Sequence, residues 1–122
     1  MDRYPYDWPE AVDTTWVFAF RYYGFNATGG QAEIAIWDAS DNLVAWAATS
    51  GRTAPPAGPA VGTMAIAYVA DPEASTFTAQ FEDAQNSGLS GPYKYQFDWW
   101  DAAGKHWPGF AGNILANGVP MP

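Results

Sequence analysis

The sequence predicts an all-β antiparallel sandwich of about seven strands, carrying extended N- and C-terminal arms. Three observations predict it. Short runs alternate large apolar with small or polar residues, the period of a half-buried strand. Clusters of Gly, Pro, Asn, Asp and Ser punctuate those runs. No long segment carries the 3.6-residue apolar period of a helix, and no internal repeat is evident.

Residues 1–13 form an expected extended N-terminal arm. Pro5 and Pro9 forbid a regular helix there, and Tyr4, Tyr6 and Trp8 are too aromatic for an ordinary disordered tail. The arm is expected to lie across its own domain or a neighbouring subunit. The sandwich itself is expected over 14–118, with 119–122 as a proline-bearing C-terminal tail.

The first strand is read over Thr14–Tyr23, with Trp16, Phe18, Phe20 and Tyr22 on one face. Gly24 and the segment Asn26–Gly30 turn the chain. Gln31–Asp38 and Leu43–Thr49 make a hairpin around Asp38–Asn42. Ser50–Gly62, rich in Pro, Gly and Ala with Arg52 its only charge, is a loop that crosses between sheets or projects as a contact. Thr63–Ala70 and Ser75–Phe81 are the next strands, separated at Asp71-Pro72. Glu82–Ser90 is short and marked by Gly and Ser, so a single helical turn is expected there.

The last hairpin organises the chain. Tyr93, Tyr95, Phe97 and Trp99 alternate with Lys94, Gln96, Asp98 and Trp100, so one face is almost wholly aromatic. Asp101-Ala102-Ala103-Gly104 breaks the run, Gly104 being free to take positive φ, and Lys105–Ile114 returns alongside.

The chain has 122 residues, which fits one domain with a core that needs no staples. It has no cysteine, so disulfides and Cys-ligated metal are excluded. Net charge is −8, which argues against phosphate backbones and anionic lipid surfaces as partners. Neither a transmembrane span nor a signal peptide is visible. Aromatics make up 17% of residues and charged residues only 15%. Part of that aromatic surplus is either core or surface covered by a partner.

Candidate chemistry is sparse. His106 is the only histidine, so no multi-His metal site assembles within one chain, and beside Lys105 and Trp107 it is most simply a strand-end residue. Asp38, Ser40 and Asn42 have a calcium-loop spacing, but Leu43 stands where such a loop needs Gly, and no Glu closes it. A hairpin turn explains the same residues. Gly29-Gly30 lacks the helix and Lys of a phosphate loop. Asp98 and Asp101 bracket two tryptophans as a glycosidase pair would, although a strand face and a turn opener account for them more simply. Trp99, Trp100 and Trp107 offer a platform for stacking sugars, the basis of an alternative reading as a carbohydrate-binding module using surface tryptophans. Packing between the sheets is the competing account of those rings.

The C-terminal third resembles a module of tailed phages and prophages: the Ig-like β-sandwich at the N-terminus of phage baseplate upper proteins, also found in small stand-alone virion proteins. The matching residues are Glu82-Asp83-Ala84, Gly91-Pro92-Tyr93-Lys94-Tyr95-Gln96-Phe97, Asp101-Ala102-Ala103-Gly104 and Gly112-Asn113-Ile114. The strand TTWVFAFRYY is similar to that family's first strand, while Gly24–Gly30 departs from the segment that usually follows it. The resemblance implies an Ig-like fold and a non-enzymatic structural role in a virion, as head decoration, tail or baseplate component. It implies contacts with other virion proteins or with further copies of this chain, and carries no cofactor or catalytic residue. The residues expected at such interfaces are Tyr4, Tyr6, Trp8, Arg52, Trp100 and Trp107.

Overall fold

The computed structural model describes residues 3–6, 15–49, 51, 60–82 and 93–114. Nine strands lie within them: β1 (Tyr4–Pro5), β2 (Trp16–Tyr23), β3 (Gln31–Trp37), β4 (Leu43–Ala48), β5 (Ala60–Val61), β6 (Thr63–Ala70), β7 (Glu73–Phe81), β8 (Tyr93–Trp100) and β9 (His106–Ile114). They form a larger sheet in the order β1-β9-β8-β3-β4-β5 and a smaller one in the order β2-β7-β6. The two sheets pack face to face as an all-β sandwich. No helix of the described residues is long and apolar enough to cross a membrane.

The seven expected strands are β2–β4 and β6–β9, all paired antiparallel. The short β1 and β5 are additional and pair parallel, β1 to β9 and β5 to β4. β7 begins at Glu73, earlier than expected, because Glu73 pairs with Ala70 straight across the Asp71-Pro72 turn. The expected helical turn falls on residues of which all but Glu82 lie outside the described ones.

Alternation fills the core. Trp16, Phe18, Phe20 and Tyr22 of β2 and Phe77, Ala79 and Phe81 of β7 meet Tyr93, Tyr95, Phe97 and Trp99 of β8. Phe20 stacks on Phe97 with centroids 4.2 Å apart, and Phe77 lies 5.0 Å from Trp99. Ala32, Ile34 and Ile36 of β3 complete the floor beside Ala45 and Ala47 of β4. Aromatic rings therefore do most of the filling, with small residues opposite them keeping the sheets close.

Two polar details hold the core in register. Ser75 is fully buried; its hydroxyl accepts from the Ala27 N–H at 2.8 Å and donates to the Phe25 carbonyl at 2.9 Å. It thereby ties the β2–β3 connection to β7. Tyr22 donates its hydroxyl to the Pro108 carbonyl at 2.7 Å, and burial pushes its pKa well above the ordinary phenol value. The Trp99 indole N–H has no partner in hydrogen-bond geometry, although it lies close enough to Tyr22 to moderate that rise.

The organising hairpin has an Asx-type turn. Asp101 Oδ1 accepts the N–H of Ala103 at 3.0 Å and of Lys105 at 2.9 Å, and Oδ2 accepts the Trp107 indole N–H at 3.0 Å. Gly104 takes the expected left-handed conformation, φ 86°. The register shifts between Phe97 and Trp99, where Gly109 approaches so closely that a Cβ would sit 1.6 Å from the Phe97 carbonyl oxygen. Only glycine fits that crossing.

The smaller sheet ends on β6. That strand pairs with β7 along one side, and no strand pairs with its other side among the described residues.

Candidate functional site

Two regions qualify: the N-terminal arm and the outward face of the larger sheet. Arg3–Tyr6 runs along β9, where Tyr4 and Pro5 pair with Phe110 and Ala111. The Tyr6 N–H donates to the Ala111 carbonyl at 3.0 Å, and the Tyr6 carbonyl accepts the Tyr95 hydroxyl at 2.6 Å. Tyr4 tilts against Phe110 with centroids 5.5 Å apart. Both arm tyrosines still expose about half their surface, 52% and 51%. This stretch of the arm is thus a short added strand with an aromatic outer edge. Trp8 and Arg52, also expected at interfaces, lie outside the described residues.

Arg3 anchors the arm. Its guanidinium makes a bidentate pair with Asp98, both contacts 2.9 Å, and this hydrogen bond raises the Arg3 pKa further. His106 Nε2 lies 3.3 Å from the same carboxylate, and its ring stacks on Trp100 at 4.8 Å. The histidine is thus held between an indole and a carboxylate that already has a cation.

The suggested sugar platform does not assemble. Trp99 is buried in the core. Trp107 is half-buried on the core side, stacked on Trp99 at 6.0 Å and edge-on to Phe25 at 5.0 Å, with the Lys105 ammonium 4.3 Å from its ring centroid. Trp100 points outward. Adjacent strand residues face opposite ways, so these three rings cannot share one surface. Nor do Asp98 and Asp101 act as a pair: Asp98 belongs to the outer face and Arg3, Asp101 to its turn. The three donors to Asp101, the Trp107 indole foremost, hold its carboxyl below the usual carboxylate range. Asp38 is lowered in the same way, first by the Asn42 backbone N–H and then by its side-chain amide. No cluster of His, Cys, Asp or Glu among the described residues is arranged to hold a metal ion.

What the sequence reading passed over is a trough crossing the larger sheet's outward face. Ala35, Gln96 and Ala111 are in register across β3, β8 and β9, and Trp46 of β4 is opposite Ala35. Ala35, Gln96 and Ala111 are the floor, and the Trp46 ring, only 5% exposed, closes its β4 end. On one side stand Trp37 and Lys94, the latter in an ion pair with Asp41. On the other stand Glu33 and Asp98, Glu33 accepting the Trp46 indole N–H at 2.8 Å. Two open depressions of ≈430 and ≈290 Å³ lie here, and both are lined by Trp37 and Gln96.

No protein-family model matches the sequence, and no curated protein is significantly similar to it.

Proposed function

We propose that this chain is a non-enzymatic structural protein of a tailed-phage virion, joining subunits as a head decoration protein or as a tail or baseplate component. The resemblance of the β8–β9 hairpin and of the first strand to Ig-like virion modules motivates the assignment. The observation that carries the mechanism is the arm. Arg3–Tyr6 anneals to the β9 edge by backbone pairing and leaves Tyr4 and Tyr6 about half exposed at that edge. A stiff added strand with exposed aromatic rings offers a neighbouring subunit large contact area with little ordering cost. The candidate acid–base groups have structural partners instead: Asp98 with Arg3, Asp101 with its turn, His106 with Trp100.

Mass spectrometry of purified virions tests the assignment, and a Tyr4→Ala/Tyr6→Ala variant tests the mechanism. Both substitutions keep the backbone pairing of the arm. The expected result is a chain present at stoichiometric copy number, with lower occupancy of the variant and an almost unchanged melting curve. A wild-type chain missing from the particles would overturn the virion reading. Full occupancy of the variant would overturn the role of the arm.

A further inference from the structure

We propose that the trough across the larger sheet binds an uncharged saccharide chain, with Trp37 as stacking platform and Gln96 as the central hydrogen-bonding group. This goes beyond the virion assignment and does not depend on it.

The ligand class follows from the shape and chemistry of the trough. Its floor runs across β3, β8 and β9, so with strands about 4.8 Å apart it extends roughly 10 Å, room for a short run of sugar rings. The outward Gln96 amide has no hydrogen-bond partner among the described residues, and it offers both donors and an acceptor. Ala35 and Ala111 flank it in register, leaving the amide accessible from either depression. Trp37 is partly exposed, lines both depressions, and has no aromatic ring packed on it among the described residues. A partly exposed indole beside planar hydrogen-bonding groups suits a sugar, whose C–H face is apolar and whose rim is hydroxyl. Glu33 is already oriented by Trp46, and Lys94 is neutralised by Asp41. Asp98 is likewise paired with Arg3, and the walls are polar. With the whole chain at −8, they favour a neutral glycan over a sulfated or uronic one.

A peptide is the competing occupant, and the trough is badly placed for one. An extended peptide needs the unpaired backbone groups of a sheet edge. Here the floor lies in the sheet interior, where β8 is already paired on both sides by β9 and β3. Side chains alone are on offer, which is what hydroxyl-rich ligands use.

Titration of the full chain with cellohexaose, maltohexaose and chitohexaose, read by calorimetry and tryptophan fluorescence, tests this. At least one should bind in the micromolar to millimolar range. Trp37→Ala should weaken it about tenfold or more, the scale of one lost aromatic contact plus its buried area. Gln96→Ala, at an exposed site that leaves folding intact, should weaken it several-fold. Tyr23→Ala, on the opposite sheet, should change nothing. No binding of any of the three at millimolar concentration would overturn the proposal, as would affinity unchanged in both trough variants. Capture of an extended peptide that Gln96→Ala releases, with no saccharide bound, would overturn it in favour of a protein partner. Virion occupancy is read separately, so failure here leaves the assembly role standing.

Discussion

The two outward faces of the sandwich differ far more than its two inward ones. Both inner faces are aromatic and interlock ring on ring. Outside, the smaller sheet presents four rows: Val17-Gln80-Thr63, Ala19-Thr78-Ala65, Arg21-Thr76-Ala67 and Tyr23-Ala74-Val69. Apart from Tyr23, Gln80 and Arg21 these are short side chains, and the single charge, Arg21, hydrogen-bonds Thr76 at 3.1 Å. The larger sheet presents Trp37 and Trp100 around a trough, with Glu33, Lys94, Asp98 and His106 beside it. Core packing constrains only the inward residue of each alternating pair. Relief on the outward residue is not required by the fold, so the rough face is where contacts with other molecules are to be sought.

The largest expected effects should show that stability lives inside and is shared by both sheets. Phe97→Ala and Phe77→Ala, one buried ring from each layer, should each cost about 3–5 kcal/mol in denaturant unfolding. Outward neighbours on the same strands, Gln96→Ala and Thr78→Ala, should stay within about 0.5 kcal/mol. An outward variant as costly as an inward one would mean that the face is covered by the protein itself.

Ser75→Ala is next in size. It strands the Ala27 N–H and the Phe25 carbonyl, an expected loss of about 1–3 kcal/mol, read by the same unfolding curve. Arg3→Ala should cost less, on the order of 1 kcal/mol, since the pair is only partly shielded from water. Its diagnostic is faster exchange of the Tyr6 amide as the arm loosens from β9. No such change would show that backbone pairing alone holds the arm.

The smallest effect concerns acid. The Asp101 carboxyl is held below its ordinary value of 3.8, so the native state favours the ionised form. Its contribution is therefore fully present above that value and is lost as pH falls through the lower folded one. Asp38 adds a contribution of the same sign at the β3–β4 turn. Asp101→Asn should flatten the acid limb of a melting-temperature profile by lowering the melting temperature slightly between pH 5 and 7 while changing little in acid. An unchanged acid limb would show that the turn survives protonation.

Much of this architecture was legible because period-2 alternation is strict in β2 and β8. The run Tyr93, Tyr95, Phe97 and Trp99 reads as one aromatic face, and Asp101–Gly104 reads as a turn. Two-residue strands carry no period, so β1 and β5 were invisible, and their parallel pairing depends on contacts far away in sequence. The trough was illegible for a related reason. Ala35, Gln96 and Ala111 become neighbours only through the strand order β9-β8-β3, which no local pattern specifies. Trp37, at the end of its strand beside a turn, gave no signal of its own. The sugar platform was sought among consecutive tryptophans, where alternation forbids it.

The side of β6 with which no strand pairs among the described residues sets conditions for handling the protein. Thr63–Ala70 contains neither a charged residue nor a proline, the usual devices that keep one sheet edge from joining another. Mutual repulsion between molecules at −8 is then the main guard against edge-to-edge stacking at neutral pH. That guard fades as the solution approaches the isoelectric point of ≈4.1, and added salt screens it at any pH. Light scattering should rise on acidification toward pH 4, with thioflavin-positive material following. Ala67→Lys, placing one cation at an exposed position of the edge strand, should delay both.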